Sequence, residues 1–242
     1  MGKLIKLGTL SQSWVFIMGD IFIRSDGVRV ELLPVEHCKC CSKPISDNYF
    51  YGTRMCSDCY KEENRPPIKI HAVGIYILRT ADNQISQDIW ELKQNPKIAD
   101  KLGECMVYII NERYPYLKDM DLIVPVPSSD LERGYSQTLL LANYVSKEIG
   151  IECKEIIYSD DNHAPQHNTP LDRKKSNIDH EFNCDGLLTD KKILLIDDTY
   201  VTGNTMRECF RVLKECDAKE VQGLVLGREV TEEHMEYIKE NQ

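Results

Sequence analysis

The apolar positions of this chain fall into runs that alternate between strand and helix periods. Ile193, Leu194, Leu195 and Ile196 form an unbroken apolar run that follows two lysines and ends in Asp197 and Asp198, the pattern of a strand buried on both faces of a parallel sheet. A polar turn follows, and then Met206, Cys209, Phe210 and Leu213 recur at helical spacing, with Thr205 and Glu208 in a capping-box pattern. Upstream, residues 70–78 read as a strand, and Ile85, Ile89 and Leu92 share a helix face. Pro96 opens a second helix with Ile98, Leu102, Cys105, Met106 and Ile109 inward. Trp90 and Lys93 lie in the first of these helices and read as packing and solvation. Residues 121–126 are the next strand, leaving the sheet at Val124-Pro125-Val126-Pro127, and Thr138, Leu141, Ala142, Val145 and Ile149 line a helix stopped by Gly150. A short strand over 155–158 precedes residues 159–182, which have no periodicity and are long for a mere connection, as expected of a functional flap. Strands alternating with helices predict an α/β fold with a mostly parallel, doubly wound sheet.

The N-terminal part differs. Residues 4–33 alternate apolar and polar stretches, and Ser25-Asp26-Gly27-Val28 is a hairpin signal between Ile21-Phe22-Ile23 and the apolar positions up to Leu33. Asn64-Arg65-Pro66-Pro67 marks a boundary, since two consecutive prolines end any element. The expected division is a β-rich arm over 1–36, a small module over 37–67 and the α/β body over 68–242.

Composition narrows the class. With 242 residues, 29 % charged and 42 % hydrophobic, the chain can bury one full core plus a small accessory module. The apolar stretch over 14–23 is interrupted by Gly19 and Asp20 and is too short to span a bilayer. No small-residue cleavage site follows it, and Lys6 stands where myristoylation needs Ser or Thr, so a cytoplasmic protein with no membrane partner is expected. Residues 1–67 hold 9 basic and 8 acidic side chains and residues 68–242 hold 21 and 31, within a net charge of −9. An acidic body argues against sequence-blind nucleic-acid binding by that body and leaves the near-neutral N-terminal part open to it.

Five of the ten cysteines lie in the small module: Cys38, Cys40, Cys41, Cys56 and Cys59. Cys38 with Cys41 and Cys56 with Cys59 give two C-x2-C pairs fourteen residues apart, at the edge of the spacing expected for a four-thiolate zinc ribbon. Cys40 is an alternative to Cys38 or Cys41. Disulfides are the rival reading, disfavoured in a cytoplasmic setting. Four thiolates leave no open position for water, so the zinc is expected to be structural. Cys105, Cys153, Cys184, Cys209 and Cys216 are scattered and read as buried small hydrophobes.

Thr199, Thr202, Asn204 and Thr205 carry groups that meet a phosphate, and Gly203 permits close backbone approach. The following helix N-terminus adds free N–H groups and positive dipole. Two carboxylates beside an anion site suit a phosphorylated sugar, Asp197 and Asp198 accepting from its hydroxyls or facing a ligand-bound Mg²⁺. The flap holds Gln166, Arg173, Lys174, Lys175 and Asn177, a cationic cluster able to close over a diphosphate.

With its apolar strand, Asp197-Asp198, Thr202, Gly203 and Thr205, the chain resembles the type I phosphoribosyltransferases; Val201 stands where a hydroxyl is common. The repeated Cys-x2-Cys pair, the Val-Pro-Val-Pro exit, the Arg133-Gly134-x-x-Gln137 loop, Gln166, Arg173, Asn177 and Phe182 extend the likeness to the ComF family over residues 37–229. Ser136 stands where an Asn is usual, and the acidic Ser159-Asp160-Asp161 replaces a usually basic lead into the flap. The resemblance implies the type I phosphoribosyltransferase fold behind an N-terminal zinc ribbon. It implies 5-phosphoribosyl-1-pyrophosphate (PRPP) held with Mg²⁺ by Asp197, Asp198, Thr199, Thr202, Gly203, Asn204 and Thr205, with Asp197 and Asp198 in the catalytic role. Ser128, Arg133, Arg173 and Lys174 fall to the pyrophosphate, and Cys38, Cys41, Cys56 and Cys59 to zinc. The implied activity is transfer of the phosphoribosyl group to an unidentified nitrogen acceptor, a nucleobase or an amine. The alternative is a non-catalytic sensor of ribose phosphates whose ribbon contacts nucleic acid or a protein. A homo-oligomer is compatible with either. The ComF family is associated with DNA uptake in competent bacteria and extends beyond it.

Overall fold

The computed structural model describes residues 21–34, 37–44, 55–56, 59–60, 68–77, 83–128, 134–159 and 182–231. Its centre is a four-stranded sheet of β3 (Lys69–Tyr76), β4 (Leu122–Pro125), β7 (Lys192–Tyr200) and β8 (Glu220–Glu229), in the order β3-β8-β7-β4 with every pair parallel. Parallel neighbours need crossovers, and helices supply them: α1 (Gln84–Leu92), α2 (Ala99–Glu112), α3 (Gln137–Ile149) and α4 (Asn204–Glu215). Strand alternation splits the core in two. Ile193 and Leu195 join a layer with Met206, Cys209 and Leu213 of α4, while Leu194 and Ile196 join a layer with α1, α2 and α3. The uninterrupted apolar run of β7 therefore follows from having helices on both faces.

The predicted elements are present with shifted ends. The helix opened by Pro96 begins as a 3-10 turn over Pro96–Ile98 before α2, and Gly150 closes α3 with φ of 77°. Pro125 is tolerated within β4, a sheet edge, where Val126 resumes the ladder by donating to the Ile196 carbonyl. The largest change is in β7, which runs four residues past the apolar run, through Asp197, Asp198, Thr199 and Tyr200, because β8 continues to pair with it.

The hairpin of β1 (Ile21–Ile23) and β2 (Arg29–Glu31) packs on the α1 and α2 side, Phe22 stacking on Tyr108 at 4.2 Å and Val30 and Leu32 entering the core. Arg24 anchors it through a buried ion pair with Asp88 of α1 at 2.6 Å. The chain then covers the free edge of β3: Leu33 donates to the Val73 carbonyl, and Ile70 donates to the Cys40 carbonyl. The ends of the predicted flap pair as an antiparallel stem, β5 (Ile157–Ser159) with β6 (Phe182–Cys184), while residues 160–181 and the predicted boundary at Pro66-Pro67 lie outside the described residues. Among the described residues no helix is long and apolar enough to cross a membrane.

Candidate active site and cysteine centre

Asp197 and Asp198 stand at the carboxyl end of β7, where consecutive residues face opposite sides of the sheet. Asp197 faces the α4 side, where its charge raises the proton affinity of the Cys209 thiol; Asp198 faces the α1 side and acts on the Tyr76 phenol. The Asp198 amide donates to Asp197 Oδ1 at 2.8 Å, and the Thr199 hydroxyl donates to Asp198 Oδ1 at 3.0 Å. Burial, with the adjacent Asp198 charge adding to it, pushes the Asp197 carboxyl well above the usual carboxylate range. Such a carboxyl is ready to accept hydroxyl donors or a cation, both of which favour its ionised form. Lys93, read from sequence as a solvated side chain, acts in the same direction on Asp197.

The turn itself spans only Val201, Thr202 and Gly203. Gly203 is left-handed at φ 81° and is the N-cap of α4, with no side chain capping the helix. The predicted capping box is not formed: the helix starts one residue ahead of Thr205, and Glu208 is committed to Arg211 at 2.9 Å. The first-turn amides consequently face the mouth of the turn, flanked by exposed Thr202, Asn204 and Thr205, and the Asn204 amide makes a long 3.4 Å bond to Thr202 Oγ1. Uncapped amides and helix dipole on one side and carboxylates on the other make a cradle for an anion that also carries hydroxyls or a cation.

Beneath the turn lies Tyr200, 4 % exposed, whose hydroxyl touches the point where a Gly203 side chain would begin. Arg228 at the end of β8 stacks on the Tyr200 ring at 4.8 Å, and its guanidinium donates to the carbonyls of Tyr200 at 2.7 Å and Val201 at 3.0 Å. The sequence marks Tyr200 only as more polar than usual in the motif and leaves Arg228 unremarked, although a charge that ends a buried run is the same signal that marked the aspartates.

Ser128 follows β4 at the same edge of the sheet, half-buried, whereas Arg133, Arg173 and Lys174, with Gln166, Lys175 and Asn177, lie outside the described residues. The loop after Arg133 is held by Tyr135, which donates to the Leu92 carbonyl at 2.7 Å. Ser136 caps α3 by accepting from Leu139, a role Ser and Asn fill equally well.

In the cysteine centre the sulfurs of Cys38, Cys41, Cys56 and Cys59 all lie within 4.8 Å of one another, Cys41 to Cys56 at 3.7 Å. A tetrahedral ion with arms of about 2.3 Å gives an edge of about 3.8 Å, so the quartet fits a zinc ribbon. The knuckle is preformed: Cys38 donates to the Lys43 carbonyl, Ser42 turns the chain at φ 56°, and the Cys56 amide donates to Cys38 Sγ at 3.3 Å. Neighbouring thiols, Cys40 foremost, hold Cys38 far below the ordinary thiol range, while Cys41 and Cys59 are driven up against it; all four ionise together only around a cation. Cys40 stands beside the quartet, and all ten cysteines are free thiols.

A parallel sheet with helices on both faces, paired acids at a strand end and an open helix N-terminus behind them define a phosphoribosyltransferase fold. The chain belongs to the phosphoribosyl transferase domain family, whose family model matches residues 88–239. Over most of its length it is similar to Competence protein F of Haemophilus influenzae, with 24 % identity over 225 residues, 87 % of this chain and 94 % of that protein. Among solved structures it is similar to a purine phosphoribosyltransferase from Pyrococcus horikoshii (18 % identity, 52 % of this chain and 79 % of that one, TM-score 0.34). It is also similar to an adenine phosphoribosyltransferase from Leishmania tarentolae (14 % identity, 63 % and 90 %, TM-score 0.39).

Proposed function

We propose that the chain binds PRPP with Mg²⁺ and transfers its phosphoribosyl group to a nitrogen nucleophile, a nucleobase or an amine, releasing pyrophosphate. The observation that carries this reading is the direct run of the paired carboxylates of β7 into the uncapped N-terminus of α4. In it, the α4 amides with Thr202, Gly203, Asn204 and Thr205 hold the 5-phosphate, and Asp197, Asp198 and Thr199 engage the ribose hydroxyls from both sides of the sheet edge. As the anomeric carbon loses its bond to pyrophosphate it gains oxocarbenium character, which the carboxylate charge of Asp197 and Asp198 favours. The nucleophile's electron pair forms the new C–N bond, and its proton passes to solvent. Ser128, Arg133, Arg173 and Lys174 take the departing pyrophosphate. Mg²⁺ bound with the substrate supplies charge neutralisation on the diphosphate, and the donor set fits it, since Asp197 is a carboxyl whose ionisation needs a nearby cation or donor. Zinc at Cys38, Cys41, Cys56 and Cys59 is structural. The reading assigns residues 1–36 to an arm, 37–67 to the ribbon and 68–242 to the catalytic body, in a cytoplasmic protein.

Pyrophosphate release from PRPP and Mg²⁺, measured over a panel of nucleobases and amines, tests it. Turnover with one acceptor, lost in Asp198→Asn, is the expected result. Binding with no turnover across the panel replaces the enzyme with a ribose-phosphate sensor.

A further inference from the structure

Tyr200 shares a buried cluster with the cysteine centre and lies against the phosphate turn. Tyr200 lies in the same buried cluster as Cys38, Cys40, Cys41 and Cys56, a cluster that also holds Ile75, Ile77 and Val230. Above the ring sits Gly203, so close that a Cβ there would lie 2.5 Å from the ring carbon Cζ. Arg228 closes the arrangement. It is 9 % exposed, stacks on the Tyr200 ring, and spends one guanidinium nitrogen on the carbonyls of Tyr200, Val201 and Glu229, while its Nε has no partner among the described residues. A buried cation held this way makes sense as a clamp on the backbone of the turn, since it ties the carbonyls of Tyr200 and Val201, where the chain leaves β7, to that of Glu229 at the end of β8.

We propose that Tyr200 and Arg228 are positioning residues that transmit the state of the cysteine centre to the phosphate turn, so that a filled zinc site holds the turn in its binding geometry. The module's four ligands wrap the ion, the sulfur shell seats the Tyr200 ring, and the ring supports Gly203 and the first turn of α4. By linkage, whatever fills the turn also tightens zinc. Only this second, ligand-side consequence rests on the function proposed above; the support of the turn by the zinc site does not.

Amide hydrogen exchange on the full chain, zinc-loaded and chelator-stripped, tests the proposal without any ligand. Exchange over residues 201–207 is expected to accelerate roughly tenfold or more on stripping, a typical size for coupling between two sites, while β4 amides stay protected. With zinc bound, Tyr200→Leu and Arg228→Met are expected to show the fast turn already, with β4 still protected; Tyr200→Phe, which keeps the ring, is expected to behave as the parent. A turn that exchanges at one rate with and without zinc overturns the proposal. So does a zinc-loaded Tyr200→Leu chain whose turn is as protected as the parent's, a comparison that stands even if stripping unfolds the whole molecule. In a second arm, ribose 5-phosphate is expected to slow zinc transfer to a chromogenic chelator in the parent and in Tyr200→Phe, and to leave Tyr200→Leu unaffected. If ribose 5-phosphate fails to bind the parent at all, the proposed function falls and the exchange result alone judges the coupling.

Discussion

Replacing Gly203 with alanine probes the turn where backbone and packing constraints coincide. The residue has φ of 81°, and placing an L-residue there costs about 1–2 kcal/mol on conformational grounds. The added Cβ would also lie 2.5 Å from Cζ and 2.9 Å from Cε2 of Tyr200, a ring that is 4 % exposed and stacked under Arg228. The ring has nowhere to go, so the turn must move, at an overpacking cost of about 1–3 kcal/mol. Urea unfolding should therefore show Gly203→Ala destabilised by about 2–5 kcal/mol. Gly186→Ala is the control: it has φ of 82° and nothing within 4 Å of its Cβ position, so only the conformational cost applies. Displacing the turn also misaligns the α4 amides, and losing one charge-assisted hydrogen bond of about 1.5–3 kcal/mol weakens ribose 5-phosphate binding roughly ten- to hundredfold. Equal destabilisation of the two alanine variants, with binding intact in Gly203→Ala, would refute the packing argument.

Four further outcomes are expected. Asp88→Asn removes one of the two carboxylates on buried Arg24, Asp26 remaining at 3.0 Å, and should cost about 1.5–3 kcal/mol in urea unfolding, with Arg24→Met/Asp88→Leu costing distinctly less. His71, 4 % exposed, is lowered from 6.5 to about 4 by burial, so the unfolded chain takes up a proton that the folded one refuses. Stability should fall as pH drops from about 6.5 to about 4, by roughly 3 kcal/mol in all, with the His71 ring titrating near 4 by NMR and the slope reduced in His71→Gln. Asp197 has the opposite sign: its raised value favours the folded state below the unfolded carboxyl range and disfavours it as pH rises. Asp197→Asn should therefore stabilise the ligand-free chain at neutral pH, lose that gain towards about pH 4, and bind ribose 5-phosphate less well. Elemental analysis should find one zinc per chain, absent from Cys41→Ser, which should also unfold at lower urea.

The sheet was legible where apolar runs and burial coincide, and blurred where they part. The run Ile193 to Ile196 announced β7, but its last four residues are in the strand because backbone pairing of Asp197 with Val225 and Thr199 with Gly227 is indifferent to side-chain polarity. Thr205 and Glu208 had the right spacing for a cap, and lost to a glycine two residues earlier that starts the helix without one. The cysteine quartet was legible from spacing alone, because two C-x2-C turns encode their own geometry. What spacing does not encode is which side of the body the module rests on. That depends on Leu33 and Cys40 meeting the edge of β3, which brings the cysteines into the buried cluster that holds Tyr200, a tyrosine in a polar stretch by sequence. Lys93 shows the same limit, as a lysine at a helix end acquires its role only when the helix end meets the carboxyl edge of the sheet.

In the function proposed above, the end of β7 and the start of α4 hold a phosphorylated ribose. Isothermal titration of the zinc-loaded chain with PRPP and Mg²⁺ tests it most directly. One site per chain, abolished in Asp198→Asn and weakened in Gly203→Ala, is the predicted outcome. No heat of binding to the parent chain, or equal binding to Asp198→Asn, would contradict it.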